Sequence, residues 1–146
     1  MKVIFLDIDG VLNSQNFIHS FNGKWELHSV DPNAINVLNE IIKATNAKIV
    51  ISSSWRIILD LNEIKDILIE NGFVGEIIGK TPIIRDNNRC RGDEINAYLE
   101  ANPNIDKFII LDDDSDMDNL IDRLVKTSYI DGLLPKHIEK AISLLG

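Results

Sequence analysis

Residues 3–13 read Val3-Ile4-Phe5-Leu6-Asp7-Ile8-Asp9-Gly10-Val11-Leu12-Asn13. The unbroken apolar run from Val3 to Leu6 suits a strand buried on both faces, as in a parallel sheet. Two carboxylates end the run at i and i+2, with a glycine directly behind them. Like charges this close repel, and burying either one unpaired is costly. A divalent cation relieves that cost, and in an open α/β sheet the carboxyl end of a strand is where ligands bind. The alternative is a strand closed by a polar turn, since Asp-Gly is a common turn dipeptide.

The same alternation of apolar runs and helical periodicity continues along the chain. Residues 14–29 mix Asn, Ser, Gly and scattered aromatics, which reads as a loop or short hairpin. Asp31-Pro32 supplies an N-cap and a proline at the first helical position, and apolar residues at helical spacing run to about Thr45. Residues 48–52 form a second strand, closed by Ser52-Ser53-Ser54. Residues 60–71 form an amphipathic helix that stops at Asn71-Gly72. Residues 73–78 are expected as a short third strand, 79–90 as irregular, and about 91–100 as a helix ended by Asn102-Pro103. A fourth strand over 107–111 runs into an acidic segment. A short helix or turn (116–122), a strand (124–127) and a last helix (135–145) follow. Strands alternating with helices imply crossover connections and a mostly parallel sheet covered on both faces. The expected fold is therefore α/β, a three-layer Rossmann-like sandwich in a single domain over 1–146. The stretches after Asn13 and over 79–90 leave room for flaps but not for a separate cap domain.

A chain of 146 residues can bury a full core without disulfides. The formal net charge of −8 argues against a broad basic surface for nucleic acid or anionic lipid. It leaves open a local patch from Lys80, Arg85, Arg89 and Arg91. Cys90 is the single cysteine, so no intramolecular disulfide can form, and no thiolate-activating motif surrounds it. No stretch approaches the roughly 20 apolar residues of a membrane span. No apolar signal region opens the sequence, so a cytoplasmic location without a membrane partner is expected.

The acidic segment Phe108-Ile109-Ile110-Leu111-Asp112-Asp113-Asp114-Ser115-Asp116-Met117-Asp118 also follows an apolar strand. Mg²⁺ prefers one or two carboxylates together with water and phosphate oxygens. Asp112 is the expected direct ligand, Asp113 the next, and Asp116 a group behind them, joined by the Asp7 and Asp9 strand end. An EF-hand loop does not fit, because neither the glycine at its sixth position nor the glutamate at its twelfth is present. His19, His28 and His137 show no metal-ligand spacing, and Trp25 and Trp55 read as packing residues.

Asp7-Ile8-Asp9-Gly10-Val11-Leu12 resembles the first motif of the haloacid dehalogenase (HAD) superfamily of phosphatases and phosphotransferases. The resemblance implies that Asp7 is a nucleophile and Asp9 a general acid/base. It also implies a serine or threonine at the end of the second strand that holds a phosphate oxygen. Ser53 is preferred for that place, with Ser52 the alternative. A cation is implied near the start of the helix before the last catalytic strand. Arg91 is preferred there and Lys80 competes. Arg56 suits either a phosphate or an acidic neighbour. The segments Asp-x-Asp-Gly-Val-Leu-Asn, Ser-Ser-Trp-Arg, Arg-Gly-x-Glu-Ile, Leu-Asp-Asp and Asp131-Gly132-Leu133 together resemble the small HAD domains associated with Swiss Army Knife RNA-repair proteins. What this implies is a Mg²⁺-dependent phosphomonoester hydrolase working through an aspartyl-phosphate. Its substrate would be a small phosphorylated molecule or a nucleic-acid end, and its oligomeric state stays open. One alternative is a receiver-like phosphoacceptor domain, but serines rather than an isolated Asp end the middle strand. The other is a catalytically silent HAD-like binding module, although all four motif positions carry competent residues.

Overall fold

The computed structural model describes residues 1–20, 28–86 and 90–146. Its strands are β1 (Lys2–Leu6), β2 (Lys48–Ile51), β3 (Ile77–Lys80), β4 (Lys107–Asp112) and β5 (Leu124–Lys126). They form one sheet of order β3-β2-β1-β4-β5, in which every pair is parallel. The apolar run that opens the chain is thus the central strand.

Side chains alternate across a strand, so β1 feeds two cores. Ile4 and Leu6 pack with Ile49, Ile51, Ile109 and Leu111 beneath α2 (Pro32–Thr45), α4 (Leu61–Glu70) and α6 (Ile138–Leu145). Val3 and Phe5 point the other way, joining Val50 and Ile110 beneath Ile95 of α5 (Arg91–Ala101) and the 3₁₀ turn at Asp118–Arg123. The result is the expected three-layer α/β sandwich. The caps lie where the sequence put them. Asp31 accepts from the Asn33 N–H ahead of Pro32, and Asp60 and Glu63 form a reciprocal capping box on α4.

Three expectations shift. The segment read as a loop or hairpin contains a short helix, α1 (Gln15–His19), capped by the Ser14 hydroxyl, which accepts from the Phe17 N–H. A further single turn, α3 (Trp55–Ile58), follows the serines. The third strand is Ile77–Lys80 rather than 73–78. Phe73 is apolar because its buried ring plugs the α2/α4 core directly after the turn at Gly72, not because it lies in the sheet. Among the described residues, no segment builds a cap domain and no helix is long and apolar enough to cross a membrane.

Candidate active site

The sheet register brings the sequence motifs to one edge. Leu6 pairs with Ile51 on one side and Leu111 on the other. The next residues, Asp7, Ser52 and Asp112, therefore stand side by side at the carboxyl ends of three adjacent strands. The Asp7 N–H donates to the Leu111 carbonyl at 2.9 Å and the Ser52 N–H to that of Leu6 at 2.9 Å. By strand alternation these three side chains fall on the Phe5 and Ile110 side, the side covered by α5. Arg91 begins that helix. Its backbone N–H donates to the Asp116 carboxylate at 3.0 Å, and the following Gly92 N–H to the Asp116 carbonyl at 3.0 Å. A side chain at Gly92 would run into the Met117 backbone, so a glycine is required for this docking. Asp116 therefore acts by fixing the start of α5 against the acidic segment.

Carboxylate oxygens of Asp7, Asp112 and Asp113 lie within 4.8 Å of one another, close enough to share one cation. Asp7 and Asp112 are buried. Burial pushes the Asp7 carboxyl up to about 6, against the pull of the Arg91 guanidinium and the Ile8 N–H. Burial first and the Asp7 charge second push Asp112 up to about 8. Gly10, at φ +80, closes the turn behind Asp7, and a Cβ there would overlap the Asp113 carboxylate. The Thr127 hydroxyl donates to the Gly10 carbonyl at 2.6 Å and ties β5 to the same turn. Three buried polar atoms at this edge have no partner among the described residues: Ser52 Oγ, Arg91 Nη1 and Asp112 Oδ2. A hydroxyl and a guanidinium N–H suit an anion, and a carboxylate oxygen suits a cation. The residues present thus fit a divalent ion together with a phosphate.

Asp9 has a different setting. It is exposed, and its Oδ1 accepts from Asn13 Nδ2 at 2.9 Å and from the Trp55 indole N–H at 3.1 Å. Its carboxylate is not part of the three-carboxylate cluster, so only its main chain remains to serve an ion there. Trp55 is buried as expected of a packing residue, but it also orients Asp9. Neither that role nor the part played by Asn13 was read from the sequence. The Asn in Asp-x-Asp-Gly-x-x-Asn was the available signal, at i+4 from Asp9.

The register sets the two serines apart. Ser53 Oγ accepts from the Trp55 N–H at 3.1 Å, at the turn into α3, whereas Ser52 shares the Asp7 side of the sheet. Of the two partners that suit Arg56, the structure shows the acidic one. The arginine side chain is 3% exposed and pairs with Glu94, itself 1% exposed, at 3.0 Å. It also donates to the carbonyls of Ser52, Ser53, Thr81 and Pro82. Those bonds account for the five N–H groups of a guanidinium. Of the two cations weighed for the third motif, Arg91 is the one that acts on both Asp7 and Asp112. Lys80 is exposed at the end of the edge strand β3. Arg85 is exposed, while Arg89 and Trp25 lie outside the described residues. Cys90 precedes α5, and its thiol, pushed up by burial, donates to Asp118 at 3.4 Å. His28 packs edge-on against Trp55 at 4.9 Å between ring centroids.

The raised carboxylates have a consequence for stability. A carboxyl that is harder to ionise in the folded state than in the unfolded chain stabilises fully at low pH and loses that contribution as pH climbs. For Asp7 and Asp112 the loss spans the ordinary carboxylate range up to about 6 and about 8. Metal-free protein should therefore show a falling Tm from pH 5 to pH 8.5, and millimolar Mg²⁺ should raise Tm more at the upper end. Thermal melts with and without chelator check this, and a Mg²⁺ increment independent of pH would contradict it.

A central strand ending in Asp-x-Asp, flanked on its two neighbours by a serine and an acidic pair, defines a domain of the HAD type. The family described as "HAD domain in Swiss Army Knife RNA repair proteins" matches residues 3–138, and the chain belongs to that family. No curated protein and no solved structure gave a significant match.

Proposed function

We propose that this domain is a Mg²⁺-dependent phosphomonoester hydrolase. The observation that carries the reading is the convergence of unpartnered buried atoms, Ser52 Oγ, Arg91 Nη1 and Asp112 Oδ2, around the Asp7 carboxylate. Burying such groups without partners costs about 1–3 kcal/mol each, and a phosphate with its counter-ion satisfies all three. Mg²⁺ held by Asp7, Asp112 and Asp113 supplies the positive charge that lets an anionic nucleophile approach an anionic ester.

Asp7 attacks phosphorus, its new O–P bond forming as the ester P–O bond breaks. Asp9, held by Asn13 and Trp55, gives its proton to the departing oxygen. Water then attacks the aspartyl-phosphate, losing its proton to Asp9, and the Asp7 O–P bond breaks to release inorganic phosphate. Ser52 and Arg91 hold the equatorial oxygens throughout. The family's description and the absence of a cap among the described residues support a nucleic-acid end as substrate. The net charge of −8 opposes a polyanion at long range, an effect that physiological salt screens beyond about 8 Å.

The test is phosphate release from an aryl phosphate, a set of small phosphate esters, and 3′- and 5′-phosphorylated oligonucleotides. Turnover should require Mg²⁺ and vanish with chelator. Equal turnover in metal-free protein overturns the metal reading, and no release from any ester overturns the hydrolase reading. Small esters outperforming the oligonucleotides tenfold would remove nucleic-acid ends as substrates.

A further inference from the structure

Beside Asp9 lies a cavity of about 380 Å³ that the chemistry at Asp7 does not use. Its lining includes Asp9 and Asn13, Trp55 and His28, and Ile58 and Tyr129. Its position has a chemical meaning that rests on the hydrolase reading above. The proton from Asp9 goes to the leaving oxygen, so whatever that oxygen carries must lie on the Asp9 side of phosphorus. Asp7, Arg91 and the acidic pair do not line this cavity. It therefore lies where the leaving group would have to be.

Its lining describes that group. Among the described residues no lysine or arginine lines the cavity, so none of them rewards a second phosphate there. Ile58 is 74% exposed and Tyr129 54%, large apolar side chains left open to water at the rim. Exposed aromatic and aliphatic surface beside a polar wall is the lining that small planar ligands use, and the volume is at the small end for such sites. We propose that the cavity seats an uncharged leaving group of nucleoside size, its planar ring lying against Tyr129 and Ile58. On this reading the domain recognises one terminal nucleoside and reads no charge beyond the scissile phosphate.

Uridine 5′-monophosphate and ribose 5-phosphate carry the same phosphorylated carbon and differ in the ring. With Mg²⁺, kcat/KM should favour the nucleotide by about tenfold or more, chiefly through KM, as expected for one stacked base. Both rim residues are exposed, so an Ile58→Ala/Tyr129→Ala double variant leaves the cores intact. It should bring the ratio of the two substrates to within about twofold. Binding is read separately by titrating uridine, the product alcohol, against the Trp55 indole N–H signal, assigned by its loss in Trp55→Phe. Uridine should shift that signal in the wild type and fail to do so in the double variant. A ratio below about twofold in the wild type, or one that survives in the double variant, overturns the proposal. So does a Trp55 signal indifferent to uridine. If no ester is hydrolysed, the hydrolase reading falls, and the uridine titration still decides the cavity.

Discussion

Asp7→Asn should reduce phosphate release by on the order of 10⁴-fold or more, because a carboxamide cannot form the acyl-phosphate. The same change should stabilise the metal-free protein. The Asp7 carboxyl is pushed up to about 6 by burial, so above that pH the folded wild type carries a charge it holds at a cost. An amide occupies nearly the same volume and can still accept from the Ile8 N–H, which now meets Asp7 Oδ1 at 2.8 Å. Melting at pH 8 with chelator should therefore give a higher Tm for Asp7→Asn than for wild type, and the gain should shrink in Mg²⁺. Activity lost together with stability would mean that Asp7 holds the fold instead. A variant with wild-type turnover would remove Asp7 as nucleophile.

Glu94→Ala should cost about 3–5 kcal/mol, the range for a buried ion pair broken by removal of one partner. Glu94 Oε2 accepts from Arg56 Nη2 at 3.0 Å and from the Ile84 N–H at 3.0 Å. It thereby joins α5 to α3 and to the stretch after β3. Its loss removes the carboxylate that pairs with the buried guanidinium at 3.0 Å. At a few degrees per kcal/mol for a chain of this length, Tm should fall by about 10 °C. Glu94→Leu combined with Arg56→Met should recover part of the loss, because no uncompensated charge remains. The recovery is incomplete because the carbonyls of Ser52, Ser53, Thr81 and Pro82 lose their donor. Denaturant midpoints for the single and double variants measure both effects. A loss under about 1 kcal/mol for Glu94→Ala would place the pair among those worth little.

What the sequence made legible follows from how local each signal is. The first strand, the helix opened by Asp31-Pro32 and the capping box at Asp60 depend on neighbours within a few residues, and they stand where expected. The Asp-x-Asp strand end and the acidic pair at 112–113 were visible because each sits directly behind an apolar run. Ser52 and Ser53 differ only by which side of the sheet they face, which register decides and composition does not. The Arg56–Glu94 pair and the Trp55–Asp9 bond join residues 38 and 46 positions apart. No local pattern announces either contact. Phe73 misled because an apolar residue after a glycine turn has the same appearance whether it enters a strand or plugs a core.

The central place of β1 in the sheet also orders the events by which the protein is made. β1 is synthesised before both of its partners, β2 and then β4, whose first residue is Lys107. Until β4 emerges, one edge of the most apolar strand stays unpaired and Asp7 has no acidic neighbour across the sheet. Parallel pairing over such separations is slow to form and leaves strand edges open to other chains meanwhile. The repulsion between Asp7 and Asp112 is felt only once that last central pairing closes. A divalent cation bound there would offset that repulsion and so favour the closing step, while the metal-free chain would close its sheet against it.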